Sequence, residues 1–243
     1  MVARISGAII AAGRGQRLRA GAIGLPKPLV EIDGEPMLAR QARMLAAAGA
    51  SPIHVIVNSE TASVMHQRGL ELPSGTRLIV RDTPHSLASL LALREAIAPG
   101  RFLMTTVDAM ARPAEFDRFA ARAIALTDPE AVEALDGALA VVRWRGDKRP
   151  LFAELAPDGH IAGFGDNRSA WVTAGLYLFS TRIFALAEAA LAGGLDALRR
   201  YLALLVDSGM KFAAIALDDV IDVDEAEDLD AARAMLARRS DTL

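Results

Sequence analysis

The chain contains no cysteine, which excludes disulfides, thiolate metal sites and a cysteine nucleophile, and is compatible with a reducing cytosol. Lysine is nearly as scarce: of 27 basic residues only Lys27, Lys148 and Lys211 are lysines. An excess of positive charge is missing as well. The formal net charge is −3 and the pI near 5.8, so nothing is available to neutralise a nucleic-acid backbone and no nucleic-acid partner is expected. The first apolar run ends at Gly13-Arg14; it is too short to span a membrane and lacks the small-residue cleavage pattern of a secretory signal. These absences predict a soluble, cytoplasmic protein with no membrane partner. At 243 residues and 52% hydrophobic content the chain can bury one large core, so one domain with a lobe or insertion is expected.

The most informative stretch is Gly7-Ala8-Ile9-Ile10-Ala11-Ala12-Gly13-Arg14-Gly15-Gln16-Arg17-Leu18, continued by Leu25-Pro26-Lys27-Pro28-Leu29. An apolar run without alternation that ends in a glycine-rich turn carrying arginines reads as a buried parallel strand opening into a loop for an anion. Gly13 and Gly15 permit backbone conformations closed to other residues and let amide groups approach a ligand. Leu25 and Lys27 each precede a proline, which favours extended backbone at both and presents Lys27 from a stiff segment. A lysine kept in an arginine-rich chain suits a compact phosphate contact. A dinucleotide fingerprint does not fit, because Leu18 stands where glycine or alanine is wanted and Pro26 and Pro28 interrupt the following helix. No Gly-Lys-Ser/Thr follows, so the Walker pattern is absent.

Ala-Ala-Gly-Arg-Gly-Gln-Arg-Leu at 11 to 18, followed by Leu-Pro-Lys-Pro-Leu-Val-Glu-Ile-Asp-Gly-Glu-Pro-Met-Leu at 25 to 38, resembles the opening of the nucleotidyltransferases that make activated sugars and related NDP or CMP compounds. The resemblance implies a three-layer αβα Rossmann-like (GT-A-like) α/β fold, with a mostly parallel sheet and a small antiparallel β flap. It implies one domain over residues 1–243, with a nucleotide lobe at about 1–136 and 208–243 and acceptor-side flap and helices at about 137–207. It also implies that Ala11, Ala12, Gly13, Arg14 and Gly15 wrap the nucleoside triphosphate, that Arg17 contacts its phosphates, and that Lys27 sits at the reacting centre.

Along the chain, apolar spacing predicts a helix from about Pro36 to Ala48 and strands at Ile53–Val57 and Thr76–Val80. A helix then starts near Ser86, a plausible N-cap. Strand, helix, strand in this order argues for a parallel sheet with crossover helices. His54 falls in mid-strand, where a packed histidine is expected. By resemblance, Asp82 or Ser86 touches the nucleobase. Phe102–Val107 is a further buried strand with Asp108 just beyond it, at the strand end where open α/β sheets bind ligands. A carboxylate there is a hard oxygen ligand of the type Mg²⁺ takes; helix capping before Pro113 is the structural alternative. Many relatives carry Gly-Asp where this chain has Val107-Asp108.

From about Gly137 the pattern becomes antiparallel: a strand at Ala138–Val142, a hairpin around Pro157-Asp158-Gly159, and a long strand at Trp171–Phe179. Val-Thr-Ala-Gly-Leu-Tyr in that strand resembles the family strand bordering the acceptor site, with Thr173 and Gly175 as matching positions. By resemblance, Arg168 substitutes as an acceptor-side phosphate contact for a lysine that the sugar-specific enzymes carry; a solvated loop arginine is the alternative reading. Residues 182 to 207 read as packing helices broken at Gly193-Gly194, and Lys211–Leu217 as a strand. The segment Ile221-Asp222-Val223-Asp224 resembles the family's source of a second carboxylate for Mg²⁺; Asp222 and Asp224 both remain open, Asp224 with Glu227 also having capping-box-like spacing.

The implied reaction is nucleotidyl transfer, in which an acceptor phosphate attacks the α-phosphorus of an NTP and pyrophosphate leaves. A phosphomonoester is already ionised near neutral pH and needs no general base, and His54, His66, His85 and His160 all lie outside the motifs. The leading expectation is an Mg²⁺-dependent sugar-1-phosphate nucleotidylyltransferase, a monomer or homodimer, without an appended left-handed helical domain. The alternative is a CTP-dependent enzyme acting on a polyol, aminoalcohol or inositol phosphate. A glycosyltransferase using NDP-sugars should carry Asp-x-Asp after the central strand, where this chain has Asp108-Ala109-Met110; a non-catalytic nucleotide-binding domain would have no need of the bases and both carboxylates.

Overall fold

A computed structural model describes residues 5–15, 18, 24–128, 135–146, 150–165 and 169–238. The amino-terminal strand β1 (Ser6–Ala11) is buried along its whole length and is followed, after a 3-10 turn at Lys27–Leu29, by the small ribbon β2 (Glu31–Ile32) and β3 (Glu35–Pro36). Helix α1 (Met37–Ala47), β4 (Ile53–Val57), α2 (Ser59–Arg68), β5 (Thr76–Val80) and α3 (Ser86–Ala92) come next, and then β6 (Arg101–Thr106), β7 (Ala109–Ala111) and α4 (Pro113–Leu126). The second half supplies β8 (Gly137–Arg143), β9 (Phe152–Leu155), β10 (Ile161–Gly165) and β11 (Trp171–Ser180). It closes with α5 (Ala187–Ala192), α6 (Leu198–Asp207), β12 (Phe212–Ala216), β13 (Val220–Asp222) and α7 (Ala226–Ala237).

Among the described residues nine strands form the main sheet, in the order β10-β9-β11-β6-β1-β4-β5, with β8 paired to β11 and β12 to β8. Strands β5, β4, β1 and β6 run parallel. Continuous apolar sequence in β1, β4 and β6 reflects burial on both faces, whereas the edge strand β5 leaves Leu78 and Val80 exposed. In β1, Ile9 and Ala11 join one core cluster, while Ala8, Ile10 and Ala12 join the other. Residues of α1 and α4 pack into the first cluster and residues of α3 and α6 into the second, which gives the three-layer αβα arrangement. Beyond β6 the pairing turns antiparallel through β11, so the hairpin β9–β10 extends the same sheet. No helix among the described residues is long and apolar enough to cross a membrane.

Sheet order positions the site. Strand β1 has β4 on one side and β6 on the other, with Ile10 opposite Thr106. The chain therefore leaves β1, β4 and β6 at one edge, on both sides of a topological switch point, where open α/β sheets form a crevice.

Several local expectations change. Lys27 opens a 3-10 turn closed by Leu29 N–H donating to Pro26 O at 2.8 Å, so it is not extended despite the proline that follows. The N-cap of α3 is His85, whose Nδ1 accepts from Ala88 N at 3.1 Å. Ser86 Oγ instead accepts from Leu198 N at 2.9 Å, tying α3 to the start of α6. Asp108 caps no helix: the N-cap of α4 is Arg112, with Pro113 at its first position. The capping box at α7 pairs Glu225 with Asp228, one residue beyond the Asp224–Glu227 spacing, because the helix begins at Ala226. That shift leaves the Asp224 carboxylate facing Lys27.

Candidate active site

Gly15 and Lys27 are built against each other. Gly15 adopts φ +57°, and a Cβ placed on it would lie 2.4 Å from Lys27 Cβ, so the loop backbone packs directly on the lysine stem and only glycine meets both demands. Lys27 is buried, and its Nζ reaches Asp108 Oδ2 at 2.5 Å and Asp224 Oδ1 at 2.8 Å. Burial alone would lower the lysine pKa, but the two carboxylates outweigh it and hold the ammonium well above its ordinary value. In turn burial pushes the Asp108 carboxyl up, and the Lys27 charge and hydrogen bond bring it below the usual range.

The third acid arrives by strand pairing. Strand β13 runs antiparallel to β7 with Asp222 opposite Ala109, and Val223 N donates to Asp108 O at 3.0 Å. Carboxylate oxygens of Asp108, Asp222 and Asp224 all lie within 4.8 Å of one another. One lysine does not balance three carboxylates: the Asp108 charge, with burial adding to it, pushes Asp222 up to about 8. An all-oxygen donor set with surplus negative charge suits a hard divalent cation, and these residues fit one.

Two cavities take in the candidate residues. One, of about 410 Å³, is lined by all three aspartates, by Ser86, Thr173, Gly175 and Tyr177, and by Arg145 and Arg199. Gly175 sits in a bulge of β11 at φ +69°, and a Cβ there would come within 2.6 Å of Thr106 Oγ1 and 2.7 Å of Ala109 Cβ. Only glycine lets this strand cross so close to the segment that bears Asp108. The other cavity, of about 430 Å³, is lined by Ala12, Arg14, Asn58, Ser59, Glu60, Asp82 and Thr83.

The candidate residues thus divide. Lys27, Asp108, Asp222 and Asp224 converge, with Thr173 and Gly175 on the wall beside them. Ala11 and Ala12 are buried at the end of β1, and Gly13 and Arg14 are exposed in the loop that Gly15 closes. Asp82 faces the second cavity, both its oxygens engaged by Ser59, through the backbone N–H at 3.1 Å and the hydroxyl. Ser86, grouped with Asp82 by the sequence, lines the first cavity instead. Gly13 has no left-handed φ, and a Cβ on it would meet nothing within 4 Å. Arg17 and Arg168 lie outside the described residues.

Sequence reading passed over Asn58, Gln41, Arg145 and Arg199. Asn58 is buried at the carboxyl end of β4, donates to Ala12 O at 3.2 Å and accepts from Thr61 N at 2.8 Å. The strand-end argument applied to β1 and β6 would have found it. Arg145 and Arg199 sit in a loop and on α6, and only the tertiary fold brings them to the cavity.

Residues 7–207 match the MobA-like NTP transferase domain. Among curated proteins, the CMP-5'-(3-aminopropyl)phosphonate synthase of Streptomyces rubellomurinus is 29% identical over 177 residues, covering 70% of this chain and 27% of that protein. The mannose-1-phosphate guanyltransferase of Candida albicans is 46% identical over 96 residues, covering 38% of this chain and 26% of that protein. The chain spans only about a quarter of the length of these two relatives. Among solved structures, a Bacillus anthracis protein described as a glucose-1-phosphate thymidylyltransferase superposes with a TM-score of 0.79 at 14% identity, covering 97% of this chain and 96% of that one. The inositol-1-phosphate CTP transferase of T. maritima gives 0.73 at 16% identity, each chain covered to 96%. These two likenesses concern the fold, a Rossmann-like α/β sheet. The family match carries more, because it runs from β1 through α6 and so takes in the glycine loop, Lys27, Asp108 and the β11 bulge: the chain belongs to the family of MobA-like NTP transferase domains.

Proposed function

We propose that the protein is an Mg²⁺-dependent nucleotidylyltransferase that condenses an NTP with a sugar-1-phosphate to give an NDP-sugar and pyrophosphate. The observation that carries this reading is the meeting of Lys27, Asp108 and Asp224, from the start, middle and end of the chain, within 2.5 and 2.8 Å contacts at one cavity wall. In the reaction an acceptor phosphate oxygen forms a bond to the α-phosphorus while the bond to the bridging oxygen of pyrophosphate breaks. The acceptor is already ionised, so no residue need take a proton, and the absence of histidine from the cluster is in keeping with this. Asp108, Asp222 and Asp224 would hold Mg²⁺, which when bound supplies charge neutralisation at the transferring phosphate. Lys27, fixed by Gly15 packing and by its carboxylate partners, delivers a desolvated positive charge to the phosphate groups. The loop Ala11–Gly15, with Arg14, Asn58 and Asp82, forms the nucleotide side. Thr173 and Gly175, with Arg145 and Arg199 as phosphate contacts, form the acceptor side. Arg17 and Arg168 belong to the same proposal, on the nucleotide and the acceptor side respectively.

Two observations favour a second acceptor class. Glu225 and Glu227 also line the acceptor cavity, and the relative with the longer alignment is a CMP-phosphonate synthase. Acidic groups beside a phosphate site suit an acceptor with a cationic end, such as an aminoalcohol phosphate with CTP as donor.

Pyrophosphate release measured across the four NTPs against hexose-1-phosphates, inositol phosphate and phosphorylated aminoalcohols tests both readings. Metal-dependent release with a sugar-1-phosphate supports the first. Release confined to CTP with an aminoalcohol phosphate replaces it by the second, and no release with any pair overturns nucleotidyl transfer.

A further inference from the structure

Gln41 is fully buried in α1, a helix otherwise packed into the core through Met37, Leu38, Ala42, Met44 and Leu45. A primary amide in such a place needs partners for its N–H groups and its oxygen. Both come from the segment around Asp108: Nε2 donates to Ala109 O at 2.5 Å, and Oε1 accepts from the Thr105 hydroxyl at 3.3 Å. Gln41 therefore spans the end of β6 and the start of β7, with Asp108 between the two points that it holds.

Ala109 is more than the neighbour of Asp108. Across the β7–β13 ribbon it is the register partner of Asp222, and its Cβ lies 2.7 Å from where a Gly175 side chain would begin. Backbone position at Ala109 thus sets where two of the three carboxylates sit, and how closely the acceptor-side strand can approach them. Strands β7 and β13 are three residues each, too short to fix that position by their own ladder. The side chain of Gln41 supplies the missing restraint from the helix behind.

We propose that Gln41 is a positioning residue for the divalent-cation site, setting the separation of Asp108 and Asp222 through the Ala109 carbonyl. This rests on the reading that those carboxylates hold the metal. Groups that orient metal ligands without touching the metal typically change its affinity 10- to 100-fold when removed. Gln41 touches neither substrate nor metal, so its removal acts on metal affinity before anything else.

The test uses Gln41→Met, which keeps the side-chain volume in the core and removes both hydrogen bonds, and Thr105→Val, which removes the weaker one together with the bond from the Thr105 hydroxyl to Thr106 O at 2.8 Å. Mn²⁺ binding to the full chain, read from the loss of the free-ion EPR signal with and without a non-hydrolysable NTP analogue, reports the site without turnover. For Gln41→Met the expected result is Mn²⁺ affinity about tenfold or more weaker, with analogue affinity in the absence of metal unchanged. Thr105→Val should shift it in the same direction by about threefold. In turnover, the Mg²⁺ concentration for half-maximal rate rises by a similar factor, and excess Mg²⁺ restores most of kcat. Unchanged Mn²⁺ affinity in both variants, whatever happens to melting temperature, overturns the proposal and leaves Gln41 a core residue. A wild-type protein that binds no Mn²⁺ even with the analogue present removes the metal reading itself, and Gln41's role with it.

Discussion

The cavity at the aspartate cluster and the one at Ala12 and Arg14 are nearly equal in volume, about 410 and 430 Å³, yet their walls differ in what their charges and polar groups do. The first is walled by charge: three aspartates, two of them paired to the buried Lys27, and two arginines. The second carries Arg14, Glu60 and Asp82 on its wall with the short polar groups Asn58, Ser59 and Thr83, and there the hydrogen bonds of Asn58, Ser59 and Asp82 are already spent on the fold. Asn58 holds the loop carbonyl of Ala12, and Asp82 holds Ser59. Uncompensated charge in a partly buried site stabilises charge that develops in a reaction, whereas satisfied polar groups fix shape and select among ligands. Under the proposed function, chemistry falls to the first cavity and nucleotide recognition to the second. Substitutions in the first should act on kcat, and in the second on the KM of the nucleotide.

The sharpest break comes from Asp108→Asn, expected to lower kcat by about a thousandfold while the protein stays folded. Loss of the Lys27 pair costs stability, but the same change relieves the repulsion that raises Asp222, so the two largely offset. Steady-state turnover beside circular dichroism decides the matter; a variant with wild-type kcat would move the chemistry out of this cavity. Lys27→Met follows, with kcat down by between about 100- and 1,000-fold. Its stability effect has a defined pH window. Asp108 is held below its ordinary 3.8, so its share is present above that value and lost as pH falls through the lower folded pKa. Lys27 is held above 10.5, so its share is full below that value and lost as pH rises through the higher folded pKa. Melting temperatures of the two proteins should therefore differ most near neutrality and converge in strong acid. A gap that persists unchanged into strong acid would mean that packing of the lysine stem, not its charge, is what the substitution removes.

Much of the sheet and the convergence of Lys27 with the aspartates were legible in the sequence, whereas the division between the two cavities was not, since Asp82 and Ser86 are grouped by sequence and lie apart. The parallel strands β1, β4 and β6 announce themselves as apolar runs, because burial on both faces leaves no room for polar alternation; the edge strand β5 is legible as a strand although Leu78 and Val80 are exposed in it. Asp108 was findable because it stands just past such a strand, at the end where open α/β sheets bind ligands, and only the structure removes helix capping as its alternative role. The helix starts were less legible. At α3 and α7 two adjacent residues could each cap, and the register chosen by tertiary packing decided for His85 over Ser86 and for Glu225 over Asp224. Ser86 illustrates the limit further: its hydroxyl serves Leu198, 112 residues away, a contact no local pattern encodes. Gln41 was hidden for the same reason, since a single polar residue on a buried helix face carries no periodic signal until its partners are known.

Two glycines of the loop sharpen the comparison at smaller magnitude. Gly15→Ala must relieve both the left-handed φ and a 2.4 Å clash with Lys27 Cβ, at a cost of about 1–3 kcal/mol. Displacement of the lysine by a fraction of an ångström lowers kcat about tenfold or more. Gly13→Ala meets open space and should leave stability and kcat unchanged. If the loop backbone closes on the nucleotide as proposed, an added methyl raises the NTP KM alone. A calorimetric scan and initial rates on the pair separate the lysine-supporting glycine from the ligand-facing one, and identical behaviour of both variants would erase the distinction.

The smallest expected effect lies in the second cavity and tests its half of the argument directly. Asp82 is exposed and contributes through Ser59, whose amide and hydroxyl it holds. Ser59 opens α2 immediately after Asn58, and Asn58 holds Ala12 in the loop. In Asp82→Ala that hydroxyl turns freely and the cavity wall loses its fixed donor and acceptor directions, while the charged cluster around Lys27 is untouched. The loss of about one hydrogen bond in the bound state corresponds to a rise of about fivefold in the NTP KM. The acceptor KM and kcat should hold their wild-type values. Titrating each substrate at saturation of the other reads the two constants separately. A fall in kcat with the nucleotide KM unmoved would place the second cavity in the chemistry and dissolve the contrast between the two.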